Sequence, residues 1–286
     1  MESMTTDPLP PPPEPDNTAR RARQVDFNAT PAMWLSHLVK AFGAKVAVND
    51  LSMAVPPGCL FGLVGPNGAG KTTTLSMVTG LLRPDQGVIS VLGRNVWTDP
   101  AAAKALMGVL PDGIRLFDRL TGREMLMLTA QLRGVPASVA TPRADALLEA
   151  LALTADATTL VADYSAGMTK KIGLACALVH NPSLVILDEP FESVDPVSGE
   201  AIRSILHDYV DRGGTVVMSS HVMELVETLC DAVAVIAEGR ILALGGIDQV
   251  KNGEPLQQRF LELVGVRDVS LGSLSWLGQG VGPVAP

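Results

Sequence analysis

The chain has only three cysteines, Cys59, Cys176 and Cys230, far apart and with no C-x-x-C pair. Neither a disulfide framework nor a thiolate metal site is expected; buried, reduced thiols in a cytosolic protein are. Long apolar runs are missing too. The partly apolar stretch 172–187 is cut by His180, Asn181 and Pro182, far short of the roughly 20 residues that span a bilayer. The N-terminus is polar and proline-rich rather than basic and then apolar, so no secretion signal is expected. Basic charge is scarce, with 22 Lys plus Arg against 30 Asp plus Glu and a net charge of −8. Without a concentrated basic stripe, nucleic acid is not an expected partner. What is present is core material. Apolar residues make up 47% and charged residues 18% of 286 positions. That excludes global disorder and suits one large α/β domain or two small ones.

Residues 1–30 read as a disordered arm, because Pro8, the run 10–13 and Pro15 favour polyproline II. The ordered domain is expected to begin near Trp34. Leu60–Val64 reads as a buried strand ending in a glycine-rich turn, and 71–82 as a helix stopped by Pro84. Leu184–Leu187, 215–218 and 232–236 read as further strands, with helices over 200–212 and Met223–Leu229 between them. Strand–helix alternation of this kind implies a mostly parallel sheet covered by helices. Residues from about 100 to 172–175 are rich in Ala and Leu at helical spacing and read as an inserted helical lobe. Residues 266–286 form a short tail with glycines, prolines and Trp276, loose or docked.

Gly65-Pro66-Asn67-Gly68-Ala69-Gly70-Lys71-Thr72, followed by Thr73, is a full G-x-x-x-x-G-K-T between a predicted strand and a predicted helix. Polyphosphate must lie against backbone N–H groups, so Cβ atoms must be absent where the loop curls. Lys71 adds charge toward the β- and γ-phosphates, and Thr72 offers its hydroxyl to Mg²⁺. Leu184–Leu187 then delivers Asp188 and Glu189 at a strand end, where ligands of a parallel sheet bind. Asp188 is expected to hold Mg²⁺ and Glu189 to polarise the attacking water.

A third segment, Tyr164-Ser165-Ala166-Gly167-Met168, precedes a helix predicted over 169–180. It resembles the signature (LSGGQ) of ATP-binding-cassette (ABC) ATPases. Other matches follow in the family's order. Ser193-Val194-Asp195-Pro196 resembles the D-loop, and His221 the switch histidine after a strand. Met107-Gly108-Val109-Leu110-Pro111-Asp112 resembles the Q-loop segment. Phe42 sits where the family stacks an aromatic on adenine, although alone it also reads as a packing residue. Ser165 equally reads as a plain helix cap, and Lys170-Lys171 as a solvated helix face.

The resemblance implies a P-loop NTPase core with an antiparallel β edge region and an inserted α-helical subdomain, the ABC domain covering about 31–265. It implies ATP hydrolysis with Mg²⁺, catalytic roles for Lys71, Glu189 and His221, and metal contacts from Thr72, Asp188 and Asp112. It implies head-to-tail dimerisation, with Ser165, Ala166, Gly167 and Met168 completing the partner's ATP site and Ser193 and Asp195 in the D-loop. A homodimer is the simplest assembly.

A separate membrane-spanning permease is the implied transport partner, with this subunit peripheral on the cytoplasmic face. The loop 112–120 is where the family receives it; Ile114, Leu116 and Phe117 either meet the partner or pack inside the lobe. The run 116–124 resembles two-component exporters, and the short stretch after Gly265 leaves no room for the regulatory domain of sugar importers, so export is preferred. Three departures stand out: Asp112 for the Q-loop glutamine, Ala166 and Met168 in the signature, and Phe191-Glu192 in the D-loop. They leave open a low-turnover regulatory module. A soluble ABC ATPase of ribosomes or DNA is the other alternative. The acidic charge and the absence of room between Lys71 and Asp188 for a coiled coil oppose it. No N-K-x-D guanine motif occurs.

Overall fold

The computed structural model describes residues 23–265; the expected tail and most of the arm lie outside the described residues. The strands are β1 (Met33–Phe42), β2 (Lys45–Val55), β3 (Leu60–Val64), β4 (Gln86–Val91), β5 (Arg94–Asn95), β6 (Met107–Leu110), β7 (Leu184–Leu187), β8 (Thr215–Ser220), β9 (Ala232–Ala237) and β10 (Arg240–Gly246). The helices are α1 (Lys71–Val78), α2 (Pro100–Ala105), α3 (Gly122–Leu132), α4 (Ala137–Ala150), α5 (Ala166–Leu178), α6 (Pro196–Asp211), α7 (Met223–Leu229), α8 (Ile247–Lys251) and α9 (Leu256–Val264).

Two sheets result. One is antiparallel, in the order β2-β1-β4-β5. The other runs β10-β9-β3-β8-β7-β6, parallel except for β10. Every residue of β3, β7 and β8 is buried, as expected for parallel strands covered on both faces. Successive side chains of β3 point to opposite faces. Leu60 and Val64 join the core shared with α5, α6 and α7, while Phe61 and Leu63 join the core against α1 and the antiparallel sheet.

Helices α5 and α6 begin at Ala166 and Pro196, ahead of the expected 169 and 200, and three further boundaries differ from expectation. Helix α1 ends at Val78, not near residue 82. Gly80 takes φ +71 and its N–H meets the Met77 carbonyl, while the Leu81 N–H returns to the Ser76 carbonyl. This glycine-centred C-cap ends the helix before Pro84 is reached. The stretch expected to be helical from 100 contains β6, which pairs in parallel with β7 from Met107↔Leu184 to Leu110↔Leu187. Gly108 fits because α5 runs so close that a Cβ there would stand 1.9 Å from the Ala177 oxygen. The helical insertion proper starts at α3, fixed by a capping box in which Thr121 and Glu124 satisfy each other's backbone N–H.

The third difference is the arm. Among the described residues it is docked from Arg23 onward rather than free to residue 30. The Arg23 N–H bonds Asp231 Oδ1 at 2.8 Å, its guanidinium reaches the Val210 carbonyl and Asp211, and Val25 packs on the core.

Candidate functional site

A parallel sheet turns all its strand C-terminal ends to one side. The loops after β3, β7 and β8 therefore converge, with β8 lying between the other two strands. They border a cavity of about 480 Å³ lined by Phe42, Lys45, Ala47, residues 67–73, Asp112, Glu189, Glu192 and His221. This is the crevice position where open α/β sheets bind ligands.

The phosphate-type loop links β3 to α1. Gly68 and Gly70 adopt φ +80 and +104, and a Cβ on Gly70 would stand 2.4 Å from the Ala47 oxygen. Only glycine fits there. Gly65 and Pro66 do not line the cavity; their carbonyls accept from Lys71 Nζ at 2.8 and 3.3 Å. Lys71 is buried, with its ammonium 3.5 Å from Glu189 Oε1.

The acid pair follows β7. Asp188 is buried, and its Oδ1 accepts from the Ser219 hydroxyl at 2.5 Å. Burial pushes its carboxyl above the usual range. Hydrogen bonds from Ser219 and Thr72 pull it back, while the charges of Asp112 and Glu189 add to the rise. Such a group gains from a nearby cation. Its pairing with Thr72, at the start of α1, fits a magnesium ion held by one hydroxyl and one carboxylate, with the rest of its shell from phosphate and water. Among the described residues, no cluster of three or more His, Cys, Asp or Glu is arranged to hold a metal alone.

Glu189 has φ +48, a left-handed conformation that costs a side-chain-bearing residue roughly 1–2 kcal/mol. Its N–H donates to Ser219 Oγ at 3.0 Å, and its Oε2 lies 3.0 Å from His221 Nδ1. Its carboxylate thus joins the lysine of one loop to the histidine of another. Ser219 orients the Asp188 carboxylate and holds the Glu189 backbone, a role not expected from the sequence. The available signal was a polar pair, Ser219-Ser220, closing a fully buried strand. Lys45, Ala47 and Glu192 also border the cavity without having been expected there.

Asp112 lines the cavity as expected. It accepts from the Gly113 N–H and lies 3.9 Å from Lys170 Nζ. Lys170 and Lys171, expected on a solvated face, are only 9% and 8% exposed. Helix α5 is buried continuously from Lys170 to Ala177 between lobe and core, so neither lysine has a solvated side. Phe42 is 51% exposed at the cavity edge, not packed in the core. Ile114 and Leu116 pack against the lobe core, whereas Phe117 is exposed.

The signature residues stand apart. Ser165 caps α5, its Oγ accepting from the Met168 N–H at 3.2 Å. Ala166, Gly167 and Met168 form the first turn of α5 rather than a loop before it. None of the four lines the cavity of its own chain. A Cβ on Gly167 would lie 3.6 Å from the Ser193 oxygen, so signature and D-loop are neighbours. Ser193 has φ +60, and Asp195 caps α6 by accepting from the Ser198 N–H at 3.0 Å.

The family model described as "ABC transporter" matches residues 48–192. The linearmycin resistance ATP-binding protein LnrL of Bacillus subtilis is 39% identical over 209 residues, 73% of this chain and 67% of the relative. The Nod factor export ATP-binding protein I of Burkholderia lata is 41% identical over 206 residues, 72% of this chain and 68% of the relative. A solved structure titled as the ATP-binding subunit of an ABC transporter superposes with a TM-score of 0.77 at 28% identity, covering 82% of this chain and 99% of that one. With the phosphate loop, the acid pair and the strand order already in place, the match makes the chain a member of the ABC transporter family, carrying its ATP-binding domain.

Proposed function

We propose that this chain is the ATP-hydrolysing subunit of an ABC exporter, dimerising on ATP and driving a separate membrane-spanning partner from the cytoplasmic face. The observation that carries the catalytic reading is the Glu189 carboxylate, set between Lys71 Nζ at 3.5 Å and His221 Nδ1 at 3.0 Å at the mouth of the phosphate loop. A general base must reach the water it activates and stand near the charge that develops. The amides of residues 67–73 and Lys71 cradle the β- and γ-phosphates. When bound, Mg²⁺ at Thr72 and Asp188 neutralises phosphate charge. Glu189 takes the water proton and His221 orients the γ-phosphate.

The position of Ser165, Ala166, Gly167 and Met168 outside their own chain's cavity supports a head-to-tail partner: a capped helix N-terminus is an anion site that a second copy can use. Loss of the γ-phosphate on hydrolysis removes the shared contacts and reopens the dimer. No helix of the described residues is long and apolar enough to cross a membrane, in keeping with a partner subunit. The resistance and export named for the two relatives favour outward transport. Exposed Phe117 is the candidate partner contact of the loop 112–120.

Phosphate release in steady state tests the reading. Wild type should turn over MgATP, and Glu189→Gln should slow it by about 10²–10⁴, the usual weight of a general base. Equal, slow rates would favour the second reading, a low-turnover regulatory module, for which the observation is Asp112 engaged with Lys170.

A further inference from the structure

Phe42 is the last residue of β1, an inner strand of the antiparallel sheet, and borders the cavity. An exposed aromatic at the end of a strand has free rotamers, and a mobile ring makes a poor stacking surface. Here the residues on either side restrict it. Lys40 Nζ lies 5.7 Å from the centroid of the Phe42 ring, within cation–π range. Lys40 itself does not line the cavity. Its own side chain is largely buried and its ammonium donates to Asp85 Oδ1 at 2.7 Å. Asp85 Oδ2 accepts the N–H of Ala41, the residue just before Phe42, at 2.8 Å. The Asp85 N–H in turn donates to the Val39 carbonyl at 2.9 Å. One carboxylate, just before β4, therefore fixes both the backbone leading to Phe42 and the cation over its ring. Hydrogen bonds from Lys40 and the Ala41 N–H hold that carboxyl below its usual range.

We propose that Lys40 and Asp85 are positioning residues that brace Phe42 as a stacking platform for the base of the bound nucleotide, and so set nucleotide affinity without touching the phosphates. The proposal rests on the nucleotide reading above and deepens it. An ordered ring loses less entropy when the base arrives, and a cation held over it restricts its swing. The consequence is selective. The brace acts on ligands that carry a base and is silent for a bare triphosphate chain, which sees only the loop 65–73 and Lys71.

Titration calorimetry on the full chain, with MgATP and separately with magnesium tripolyphosphate, reads this directly. Lys40→Met and Asp85→Asn should each weaken MgATP binding about three- to fivefold, the size of a partly exposed cation–π contact, and leave tripolyphosphate binding unchanged. Lys40→Arg should keep wild-type ATP affinity. In steady-state hydrolysis the two weakened variants should raise KM for ATP at unchanged kcat. On a Phe42→Ala background, Lys40→Met should have no further effect on ATP binding. The brace is overturned if the variants leave ATP affinity intact, if they weaken tripolyphosphate equally, or if Lys40→Met acts as strongly without the ring. Wild type binding tripolyphosphate but not ATP would also overturn it. A wild-type chain that binds neither ligand overturns the nucleotide reading itself, and the brace with it.

Discussion

Asp188 and Asp231 sit at opposite ends of the parallel sheet, and each is 4% exposed. Their partners differ. Asp231 is held by backbone donors, Leu60 N–H at 2.9 Å and Arg23 N–H at 2.8 Å. Those donors are fixed in direction, so this carboxylate is a knot that ties the docked N-terminal segment to the root of β3. Asp188 is held by hydroxyls, those of Ser219 and Thr72, and faces the charges of Asp112 and Glu189. A hydroxyl can rotate away and leave its oxygen to another ligand. Equal burial therefore serves two ends: one closes the fold, the other leaves the proposed cation ligand in an unfavourable setting that a cation would relieve. The left-handed backbone at Glu189 and Ser193 lies at that same end, as strain tends to at functional sites.

Removing each acid in turn should separate the two roles most widely. Asp188→Asn should cut MgATP turnover by a hundredfold or more, on the order of several kcal/mol of lost metal assistance, while the urea midpoint of the nucleotide-free chain barely moves. Asp231→Ala should do the reverse. It leaves buried N–H groups unpaired, at roughly 1–3 kcal/mol each, so the urea midpoint should fall while turnover per folded molecule persists. Turnover lost at full stability in Asp231→Ala would erase the distinction.

A smaller effect sharpens it through pH. His180 bonds the carbonyl of Met107, the first residue of β6, at 3.1 Å, and its Nδ1 is buried without a partner. Burial lowers its pKa below the ordinary 6.5, as do the charges of Arg133 and Arg143, against the hydrogen bond to Met107. The unfolded chain then takes the proton first, so stability falls as pH drops below 6.5 and levels off beneath the folded value. For Asp188 the sign is opposite. Its folded pKa is raised above 3.8, so the folded chain protonates first and its penalty is relieved as pH falls toward that value. Urea midpoints measured between about pH 7 and 5 should decline in wild type and flatten in His180→Gln; an unchanged slope would show that His180 carries none of it.

The smallest effect concerns Ser193, held at φ +60 beside Gly167. Glycine adopts that conformation freely, though its more flexible unfolded chain offsets part of the gain. Ser193→Gly should stabilise the chain by about 1 kcal/mol or less, read as a small rise in Tm.

The site was legible where its chemistry is local in the chain. The glycine spacing of residues 65–70 and the apolar run ending in Asp188 and Glu189 carry their own geometry. What stayed hidden depends on long-range neighbours. β6 has four residues, one of them Gly108, and becomes a strand only because β7 pairs with it. Lys170 and Lys171 look like a solvated pair until α5 is seen between two layers. Ser219 is an ordinary strand residue until β8 enters between β3 and β7 and sets its hydroxyl against the Asp188 carboxylate and the Glu189 N–H.

That insertion of β8 has a consequence for the growing polypeptide. Translation delivers the phosphate loop first and the acid pair next, but the strand that separates and aligns them emerges after both. Until Thr215–Ser220 is made, β3 and β7 have no correct lateral neighbour in common. ATP in the surrounding solution then has no complete site to stabilise. Nucleotide cannot template the early half of the domain, and its stabilising effect begins only once the late strand has slotted between two earlier ones, a non-local step of the kind that slows folding. A ribosome-bound chain stalled before β8 would thus carry every phosphate-loop residue and still be blind to ATP.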